Sequence, residues 1–578
     1  MPTIIPVDEF VSDSWYPGFR PEFLDSPWIS ERARPFRKED KDRFWFIDFH
    51  WPSGFSPMGC IYLEDAYTWG TQFGATNLPL PPGNGLTCRI AGTHVYGSEA
   101  PGITPWETGF RAQRLGRRLP RYLHDFPEIW KERVWELETG LNYFEKFDTS
   151  GKSLSELGDL LIDARTFNRR AWEIHFEVMY PLLANYLGFY GMCGEYGIGP
   201  AQIAKFLQGY DTKMMECDRA LWQLTKEARA TPAVALIFAN TGAGQLLSHL
   251  KRAGTAASPW VASFEAMLGK YGMRTEGIAD PMLAPWNENP TPALGTIKTF
   301  LEKGTNFDFD ASARASIAER EDAIEAAHRK LSRSEREAFD QGLVTCQHAN
   351  FSWWNEDHNY YIDLRATTPV RIACLAIGKE LGLDDPTDAL FSFHRELVDV
   401  CKGTGNLAEM RGLLPDRRDY YNAWLERRPS MPKVLGTVPD SVADPVMIEI
   451  FGIHRHFLAA VNASSTDLRE LQGVAASSGT ARGPARVLHD ASQLHTIQIG
   501  DVLVCEGTTP AWTPAFTKIA ACVCDGGGTL THASIISREY RVPCVVGVGV
   551  GTSVIRDGDI VDVDGNTGLV SVNAALTS

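Results

Sequence analysis

The stretch that decides the fold of the C-terminal part of the chain runs from Asp525 to Tyr540 and reads DGGGTLTHASIISREY. It follows the apolar run Ala520–Cys524, which predicts a strand, and it leads into a short pattern of helical periodicity. His532 is therefore expected where a strand passes into a helix. Backbone N–H groups at a helix start are unpaired and the helix dipole is positive there, so such a place stabilises an anion. A histidine in this position can act as the nucleophile that carries a phosphoryl group.

The residues alone leave a second interpretation of His532 open. A histidine at a helix start is often a cap or a structural hydrogen-bonding group, and a glycine-rich turn before a helix has many uses outside catalysis. If a phosphate binds here, the glycines allow it to approach the backbone closely. The residues expected around that phosphate are Gly527, Gly528, Thr529, Thr531 and Thr509.

Outward from this stretch, residues 473–578 have the composition of one compact α/β domain of about 105 residues. Short β-branched runs alternate with Gly-Asp or Gly-Gly turns, which is typical of strands joined by tight connections. Six runs are expected as strands: Ala485–Leu488, Asp501–Cys505, Ala520–Cys524, Cys544–Val546, Ile560–Val563 and Leu569–Val572.

The sequence upstream of this domain has largely helical periodicity. Capping-box patterns at Ser153–Glu156 and Ser332–Glu335 predict two helix starts, and Pro181 is expected to interrupt the first of these helices. Residues 30–100 are rich in Trp, Phe, Pro and Gly and predict an irregular, partly β segment. The proline-rich stretch Arg428–Asp440 predicts an extended linker.

Residues 473–572 resemble the phosphohistidine swivelling domain, or mobile domain, of the PEP-utilising enzymes, which include phosphoenolpyruvate synthase, pyruvate phosphate dikinase and rifampicin phosphotransferase. In that family the motif histidine carries the phosphate, which implies the same role for His532. Many members have Ser or Thr where this chain has Leu530, so the resemblance implies no regulation through a threonine at that position. The motifs that carry the resemblance are Ala476–Gly479, Gly483–Val487, Gly500–Val504, Thr508–Pro514, Asp525–Tyr540, Arg538–Gly547, Asp557–Asp559 and Val563–Gly565.

The large upstream domain resembles the acceptor-binding domain of rifampicin phosphotransferase and the large subunit of phenylphosphate synthase-type aryl dikinases. The resemblance implies that ATP and Mg²⁺ bind to a separate ATP-grasp subunit. No P-loop pattern and no GxGxxG at a strand–helix junction occurs in this sequence, which agrees with that arrangement. The residues that carry the resemblance are Tyr271–Arg274, Glu276, Pro285–Trp286, Trp354–Asp363, Arg365, Arg371, Gly378, Asp384–Phe391 and Pro432–Gly436.

Candidate acceptor-site residues come from the same regions. A phenol with a pKa of about 10 needs a base to become a good nucleophile. We expect His358 to be that base, with Glu356 or Asp357 orienting it; a buried polar network between helices is the open alternative. Arg274 and Arg365 are expected to neutralise the transferred phosphoryl group, with structural ion pairs as the alternative. Further substrate-binding candidates are Trp286, His94 and His175.

Composition excludes several classes of protein. The chain has 578 residues, of which 44% are hydrophobic and 22% charged, as in globular proteins, and its net charge of −16 disfavours nucleic acid as a partner. No uninterrupted apolar run reaches about 18 residues, so no membrane span is expected, and the start has no signal-peptide pattern. Eleven cysteines without a CxxC pair predict reduced thiols in a cytoplasmic protein. No metal site is expected in this chain.

These observations predict a multidomain protein: a largely α-helical acceptor-binding domain at residues 1–428, a linker at 429–472, and a compact α/β phosphohistidine swivelling domain at 473–578. Within the linker, Ala463–Gln472 is the preferred hinge. The expected function is that of an ATP-dependent dikinase subunit that phosphorylates a small aromatic hydroxyl compound. Two alternatives are a phosphohistidine relay module that serves a protein or a non-aromatic acceptor, and a binding protein without catalysis. The intact His532 segment argues against a binding protein without catalysis. The aromatic run Phe44–Phe55 is compatible with a pocket for an aryl substrate and equally with core packing.

Overall fold

The structure is a computed structural model, and it describes residues 3–12, 15–24, 31–78, 80–81, 83–100, 102–302, 308–463 and 468–573. Residues 464–467 of the preferred hinge lie outside the described residues. The eleven cysteines are all buried and free of disulfides, as expected for reduced thiols. None of the described helices has both the length and the hydrophobicity needed to cross a bilayer.

Helices make up most of the chain between residues 105 and 427, around a core rich in aromatic side chains. Both predicted capping boxes are formed: the side chains of Ser153 and Ser332 each accept a hydrogen bond from the N–H three residues later, and the glutamate there returns one. The α-helices of this region are Pro105–His124, Phe126–Glu145, Leu154–Glu195, Pro200–Lys205, Lys213–Ala230, Pro232–Asn240, Ala243–Arg252, Ser258–Tyr271, Thr291–Glu302, Phe309–Lys330, Arg333–His348, Phe351–Tyr361, Thr368–Glu380, His394–Cys401 and Leu407–Arg427.

The long helix Leu154–Glu195 passes through Pro181, so the expected break at this proline is wrong. Proline has no N–H to donate and crowds the preceding turn, which destabilises a helix interior by about 3 kcal/mol. The side chains of Tyr180, Leu182 and Leu183 on both sides of the proline are buried in the main core. Their packing holds the helix continuous.

A six-stranded sheet packs beside the helices and supplies part of the site described below. The stretch Arg428–Asp440 is not an extended linker throughout, because its strand β6 (Val434–Thr437) pairs antiparallel with β1 (Ile4–Ile5) and β3 (Phe44–Ile47). The other strands are β2 (Ala33–Pro35), β4 (Leu86–Ala91) and β5 (His94–Glu99), in the order β1-β6-β3-β5-β4-β2. A π-helix, Leu63–Gly70, and an α-helix, Thr71–Asn77, precede β4. The irregular, partly β character expected of residues 30–100 is confirmed.

The C-terminal domain is an α/β domain built on an eight-stranded sheet, as predicted. Strands β9 to β12 run parallel to one another, and the remaining strands add antiparallel to their edges. The helix His532–Tyr540 connects β11 to β12. His532 therefore lies at the carboxyl edge of the parallel strands, where open α/β sheets bind ligands. The strands are β7 (Glu470–Gln472), β8 (Val474–Ser477), β9 (Thr480–Val487), β10 (Val502–Cys505), β11 (Ala521–Cys524), β12 (Cys544–Val546), β13 (Ile560–Asp564) and β14 (Leu569–Asn573), in the order β7-β14-β13-β9-β10-β11-β12-β8.

Four further α-helices are described in these parts of the chain, and two of them lie between the domains. Pro445–Glu449 and Arg455–Asn462 follow β6, Thr513–Phe516 lies between β10 and β11, and Gly551–Val554 lies between β12 and β13. The first of these brings Glu449 against the glycine turn that precedes His532. The chain between the two domains is thus partly regular structure rather than a uniform linker.

A buried ionic group holds the C-terminal domain against the rest of the protein. Glu506, directly after β10, accepts hydrogen bonds from Arg428, with Nη2 at 2.5 Å, and from the ammonium of Lys433. The side chains of Arg428 and Glu506 are only 3% and 6% exposed. Burial alone would raise the pKa of Glu506, but the charges of Arg428 and Lys433 outweigh it and hold that pKa far below its usual value. The carboxylate is therefore ionised wherever the domains are docked.

Replacing Glu506 by glutamine is expected to move the domains away from the docked arrangement. The change leaves two buried cations without their carboxylate, and removing one partner of a buried pair costs about 3–5 kcal/mol. Fluorescence energy transfer between dyes on the two domains measures the docked fraction. Asp562→Asn is the matched control, because its pair with Arg482 lies exposed on the same domain and is worth little. An unchanged docked fraction in the Glu506 variant would show that this ionic group does not hold the domains.

Candidate active site

His532 is the first residue of its helix, and its imidazole is 7% exposed. Nδ1 lies 3.0 Å from Oγ1 of Thr508, and Nε2 lies 3.5 Å from Oγ1 of Thr513. Both threonines follow β10, so the segments after two neighbouring parallel strands meet at this ring. These two residues are not among the candidates predicted from the sequence. They could be identified there as hydroxyl side chains in the segment that follows β10, since β10 neighbours β11, the strand that precedes His532.

Burial keeps the imidazole of His532 neutral. Removal from water lowers the pKa of His532 to about 3; the positive charge of Arg274 acts in the same direction, and Asp363 acts against it. At neutral pH one ring nitrogen therefore has a free lone pair, which is the form of histidine that can attack phosphorus.

Four of the residues expected around a phosphate, Gly527, Gly528, Thr529 and Thr531, form the turn before His532, and their role toward a phosphate stays a prediction. Gly527 has a φ of +90°, and a Cβ on Gly528 would lie 2.3 Å from the carbonyl oxygen of Glu449, so both positions require glycine. The hydroxyl of Thr531 donates to Gly528 O at 2.9 Å, and that of Thr529 donates to the Glu449 carboxylate at 2.9 Å. These hydroxyls therefore hold the turn rather than the ring.

A cavity of about 110 Å³ lies between His532 and the helical domain. Its walls come from both domains, so it is complete only while they are docked. Aromatic rings alternate with polar side chains in the lining, which is typical of a small-ligand site. The aromatic lining includes Trp51, Tyr62, Tyr67, Trp172, Phe176 and Phe451, and the polar lining includes Asp48, His50, His175, Asn355, His358, Asn359 and Asp363.

Two histidine–carboxylate pairs lie in this lining. In the first, His50 Nδ1 is 2.7 Å from Asp48 Oδ1, and the carboxylate of Asp48 also accepts hydrogen bonds from the backbone N–H of His50 and the hydroxyl of Tyr67. In the second, His358 Nε2 is 3.5 Å from Asp363 Oδ1. The sequence analysis found His358 but neither carboxylate, because each partner belongs to a loop whose position depends on the whole fold.

Neither Glu356 nor Asp357 orients His358, which corrects the expected arrangement. Neighbours one and two positions apart on a helix point in different directions. Asp357 accepts hydrogen bonds from the indole N–H of Trp130 at 2.9 Å and from the backbone N–H of Lys213 at 2.8 Å. Glu356 lines a different, smaller cavity, where burial raises its pKa to about 8.

Of the other predicted substrate-binding residues, His175 lines the cavity and the remaining four do not. The Arg274 guanidinium stacks 4.3 Å above the ring of Trp286, whose indole N–H donates to Glu276. Arg274 affects His532 through its positive charge, which lowers the pKa of His532.

Arg365 and His94 have structural partners away from the cavity. Arg365 pairs with Glu145 at 2.5 Å, which is the structural ion pair left open above. His94 Nε2 lies 2.9 Å from the carbonyl oxygen of Trp424, and burial together with the charge of Arg428 lowers the pKa of His94 to about 3. Neither side chain is placed to contact a ligand beside His532.

A second cavity, of about 750 Å³, adjoins the first. His50 and Trp51 line both spaces, and Thr509 and Lys518 line the larger one from the C-terminal domain. Thr509 lines the larger cavity, and its expected role toward a phosphate stays a prediction. The shared wall places His50 at the boundary between a small reaction space and a space of the size that holds drug-sized ligands.

Comparisons with known proteins identify two parts of the chain. Residues 497–568 match the family model for the mobile domain of PEP-utilising enzymes, and residues 175–356 match the model for the fourth domain of rifampicin phosphotransferase. Over these residues the chain is therefore similar to both kinds of domain. The predicted resemblance to the PEP-utilising mobile domain and to rifampicin phosphotransferase is confirmed, while the resemblance to phenylphosphate synthase stays a prediction.

Three curated relatives show the extent of the similarity. The chain is 29% identical to chondramide synthase cmdD of Chondromyces crocatus, over 92% of this chain and 14% of that protein. It is 28% identical to the uncharacterized phosphotransferase YvkC of Bacillus subtilis (strain 168), over 94% of this chain and 64% of that protein. It is 28% identical to rifampicin phosphotransferase of Streptomyces sviceus, over 62% of this chain and 39% of that protein. The chain thus spans less than two thirds of the length of each, and the names of two of them support phosphotransferase chemistry.

Proposed function

We propose that this chain is the phosphate-carrying and acceptor-binding part of a dikinase-type phosphotransferase. His532 takes a phosphoryl group that originates from ATP and transfers it to the hydroxyl group of a small aromatic compound. The observation that carries the proposal is the position of His532, a neutral imidazole in the wall of a cavity that the helical domain completes. A structural helix cap has no need of such a space.

The cavity beside His532, of about 110 Å³, is smaller than a nucleoside triphosphate, which supports a charging step at another place. We propose that the C-terminal domain undocks to be charged and docks again to deliver. We propose that the charging site, with its ATP and Mg²⁺, belongs to a separate ATP-grasp subunit. The hinge for this movement is proposed to lie in residues 429–472, with Ala463–Gln472 as the preferred segment. Its last three residues, Glu470–Gln472, pair as β7 with β14 and so move with the C-terminal domain.

An aromatic acceptor fits the cavity in size and in chemistry. An apolar cavity of about 150 Å³ in another protein binds benzene, so a space of 110 Å³ accommodates one small ring after slight adjustment of its walls. Trp51, Tyr62 and Trp172 offer faces and edges against which a ring can pack. The polar side chains opposite His532 then contact the hydroxyl group.

The transfer step needs one proton acceptor, and we propose His50, which lines the cavity and is paired with Asp48. With Nδ1–H donating to Asp48, Nε2 of His50 has a free lone pair that can take the hydroxyl proton. The acceptor oxygen forms a bond to phosphorus as the bond from phosphorus to the imidazole nitrogen of His532 breaks. The other ring nitrogen of the phosphorylated His532 carries a proton, so when the electron pair of that bond returns to the ring, the ring leaves as a neutral imidazole. Over the full cycle ATP, water and the acceptor give AMP, phosphate and the aryl phosphate.

The test of this function is a single-turnover transfer. The chain is phosphorylated by its ATP-grasp partner, freed of nucleotide and mixed with a panel of phenols, aliphatic alcohols and protein fractions. We expect aryl phosphate to form at the rate at which phosphohistidine disappears. Transfer to aliphatic alcohols or to a protein, with phenols inert, would replace the proposed acceptor with the alternative classes.

The isolated chain is expected to bind ATP weakly or not at all. No phosphate-binding loop pattern occurs in its sequence, and tight triphosphate binding depends on such a cradle of N–H groups and cations. Isothermal calorimetry with Mg·ATP measures this directly, first with the chain alone and then with the ATP-grasp partner added. Tight binding to the chain alone would contradict the separate charging site.

A further inference from the structure

We infer that His175, His358 and Asp363 form a binding site for a divalent transition-metal ion of the Zn²⁺ type inside the acceptor cavity. One donor atom of each residue lies within 4.8 Å of the donor atoms of the other two. Ligands bound at about 2.1 Å around a tetrahedral or octahedral ion are separated by roughly 3.0–3.4 Å. The distance of 3.5 Å between His358 Nε2 and Asp363 Oδ1 already has this spacing, and small side-chain rotations bring in the third ligand.

Unpaired acceptor atoms support this inference. His358 Nδ1 lies 3.1 Å from the carbonyl oxygen of Trp354, and a carbonyl only accepts, so Nδ1 carries a proton; in the neutral imidazole the lone pair is then on Nε2. That lone pair faces the carboxylate of Asp363. Within the described part of the chain, His358 Nε2, Asp363 Oδ1 and His175 Nδ1 are buried and have no hydrogen-bond partner. A cation at their centre satisfies all three at once.

The donors are held as metal ligands usually are. The bond from His358 Nδ1 to a backbone carbonyl is the common outer contact of a ligating histidine, because it fixes the tautomer and the ring orientation. The ring of Trp354 stacks on that of His358 with centroids 4.3 Å apart and planes at 13°. His175 and His358 belong to two packed helices, Leu154–Glu195 and Phe351–Tyr361. Two imidazoles and one carboxylate with open positions toward a cavity are typical of catalytic zinc sites and of other first-row metal sites.

An ion here would bind the acceptor hydroxyl opposite His532, and this consequence rests on the proposed function. A bound divalent ion lowers the pKa of a coordinated hydroxyl and so favours the ionised nucleophile. The proton leaves to His50, and the oxygen then attacks phosphorus as described above. His358 is on this view a ligand rather than the base that the sequence suggested. The site is not predictable from the sequence, because His175 lies far along the chain from His358 and Asp363 and the three form no short ligand motif.

Metal binding is tested directly on the full chain. The protein is treated with a chelator, dialysed against Zn²⁺ or Co²⁺ and analysed for metal content, and the Co²⁺ form is examined by visible absorption. We expect about one ion per chain in the natural protein and none in His175→Ala, His358→Ala or Asp363→Asn. Cys522→Ala is the matched control, because Cys505, Cys522 and Cys524 form a second cluster of possible ligands. It is expected to keep the ion and to leave the Co²⁺ spectrum without thiolate bands.

The outcomes separate the metal from the proposed function. No bound ion in the natural protein, with phosphate transfer from His532 intact, would overturn the metal site and leave the function standing. Metal content lost in Cys522→Ala but kept in His358→Ala would place the ion at the thiols and equally overturn the inference. Absence of phosphate on His532 would overturn the function whatever the metal content. Circular dichroism and thermal melting of each variant show whether lost binding reflects unfolding. If an alanine variant fails to fold, the conservative variant Asp363→Asn tests metal binding in its place.

Discussion

Replacing His532 by alanine is expected to abolish both phosphate labelling of the chain and formation of the phosphorylated acceptor. Removal of a covalent nucleophile lowers turnover by on the order of 10⁴-fold or more. With the ATP-grasp partner and Mg·ATP, the natural chain should gain an acid-labile, base-stable phosphate, as phosphohistidine is. Gel labelling, with peptide mapping under alkaline conditions, locates the group.

The matched control for this experiment is His489→Ala. His489 belongs to the same domain and lines the larger cavity, but it does not line the cavity that contains His532. We therefore expect normal labelling and normal transfer in this variant. Thr508→Val is expected to give an intermediate effect on labelling, because it removes the hydroxyl that lies 3.0 Å from Nδ1 of His532 while keeping the shape of the side chain. Full labelling of His532→Ala would move the carrier to another residue.

The C-terminal domain is predictable from sequence because its signals are local. Each expected strand is a short apolar run between turns, and the helix of His532 begins directly after a glycine turn, so neighbours along the chain carry the information. The helical domain is less so. Its caps at Ser153 and Ser332 are local and were found, whereas the continuity of the helix through Pro181 depends on packing from other elements. The strand β6 likewise depends on partners several hundred residues away.

The residues of the candidate site also fall into two groups: some are predictable from their own segment, and others are brought to the site only by the fold. His532 is found from its own segment, His358 from the family resemblance and its two neighbouring carboxylates, and His175 as a polar candidate beside Trp172 and Phe176. Their partners are not predictable from one sequence, because Asp363 meets His358 through the loop that ends a helix, and Asp48 reaches the cavity from the edge of a sheet. Arg365 and Asp357 are the opposite case, because the sequence suggests a role that the fold does not give them. Both look like site residues in the sequence, yet the fold gives each a partner of its own.

Replacing His50 by alanine is expected to leave the charging of His532 intact and to slow transfer to the acceptor by about 10²–10⁴-fold, the usual range for a positioned general base. In the proposed function charging takes place with the domains apart, where His50 does not face the carrier, so only the second half-reaction should be slowed. The loss should shrink as the phenol becomes more acidic, because less of the barrier then lies in removing its proton. Single-turnover transfer from pre-phosphorylated protein, measured across phenols of graded acidity, gives this dependence.

His358→Ala supplies the comparison that assigns the two histidines. If His358 binds the ion and His50 takes the proton, His358→Ala loses the metal and His50→Ala keeps it, although both variants slow transfer. Asp48→Asn adds a test of orientation, since an amide that donates to Nδ1 stabilises the wrong tautomer of His50 and should reproduce most of its loss. A structural His50 predicts something else: a lower melting temperature, both half-reactions impaired together, and the same loss for every phenol. That uniform loss would remove His50 from the reaction, and the proton acceptor would then have to be sought among the other polar residues that face His532.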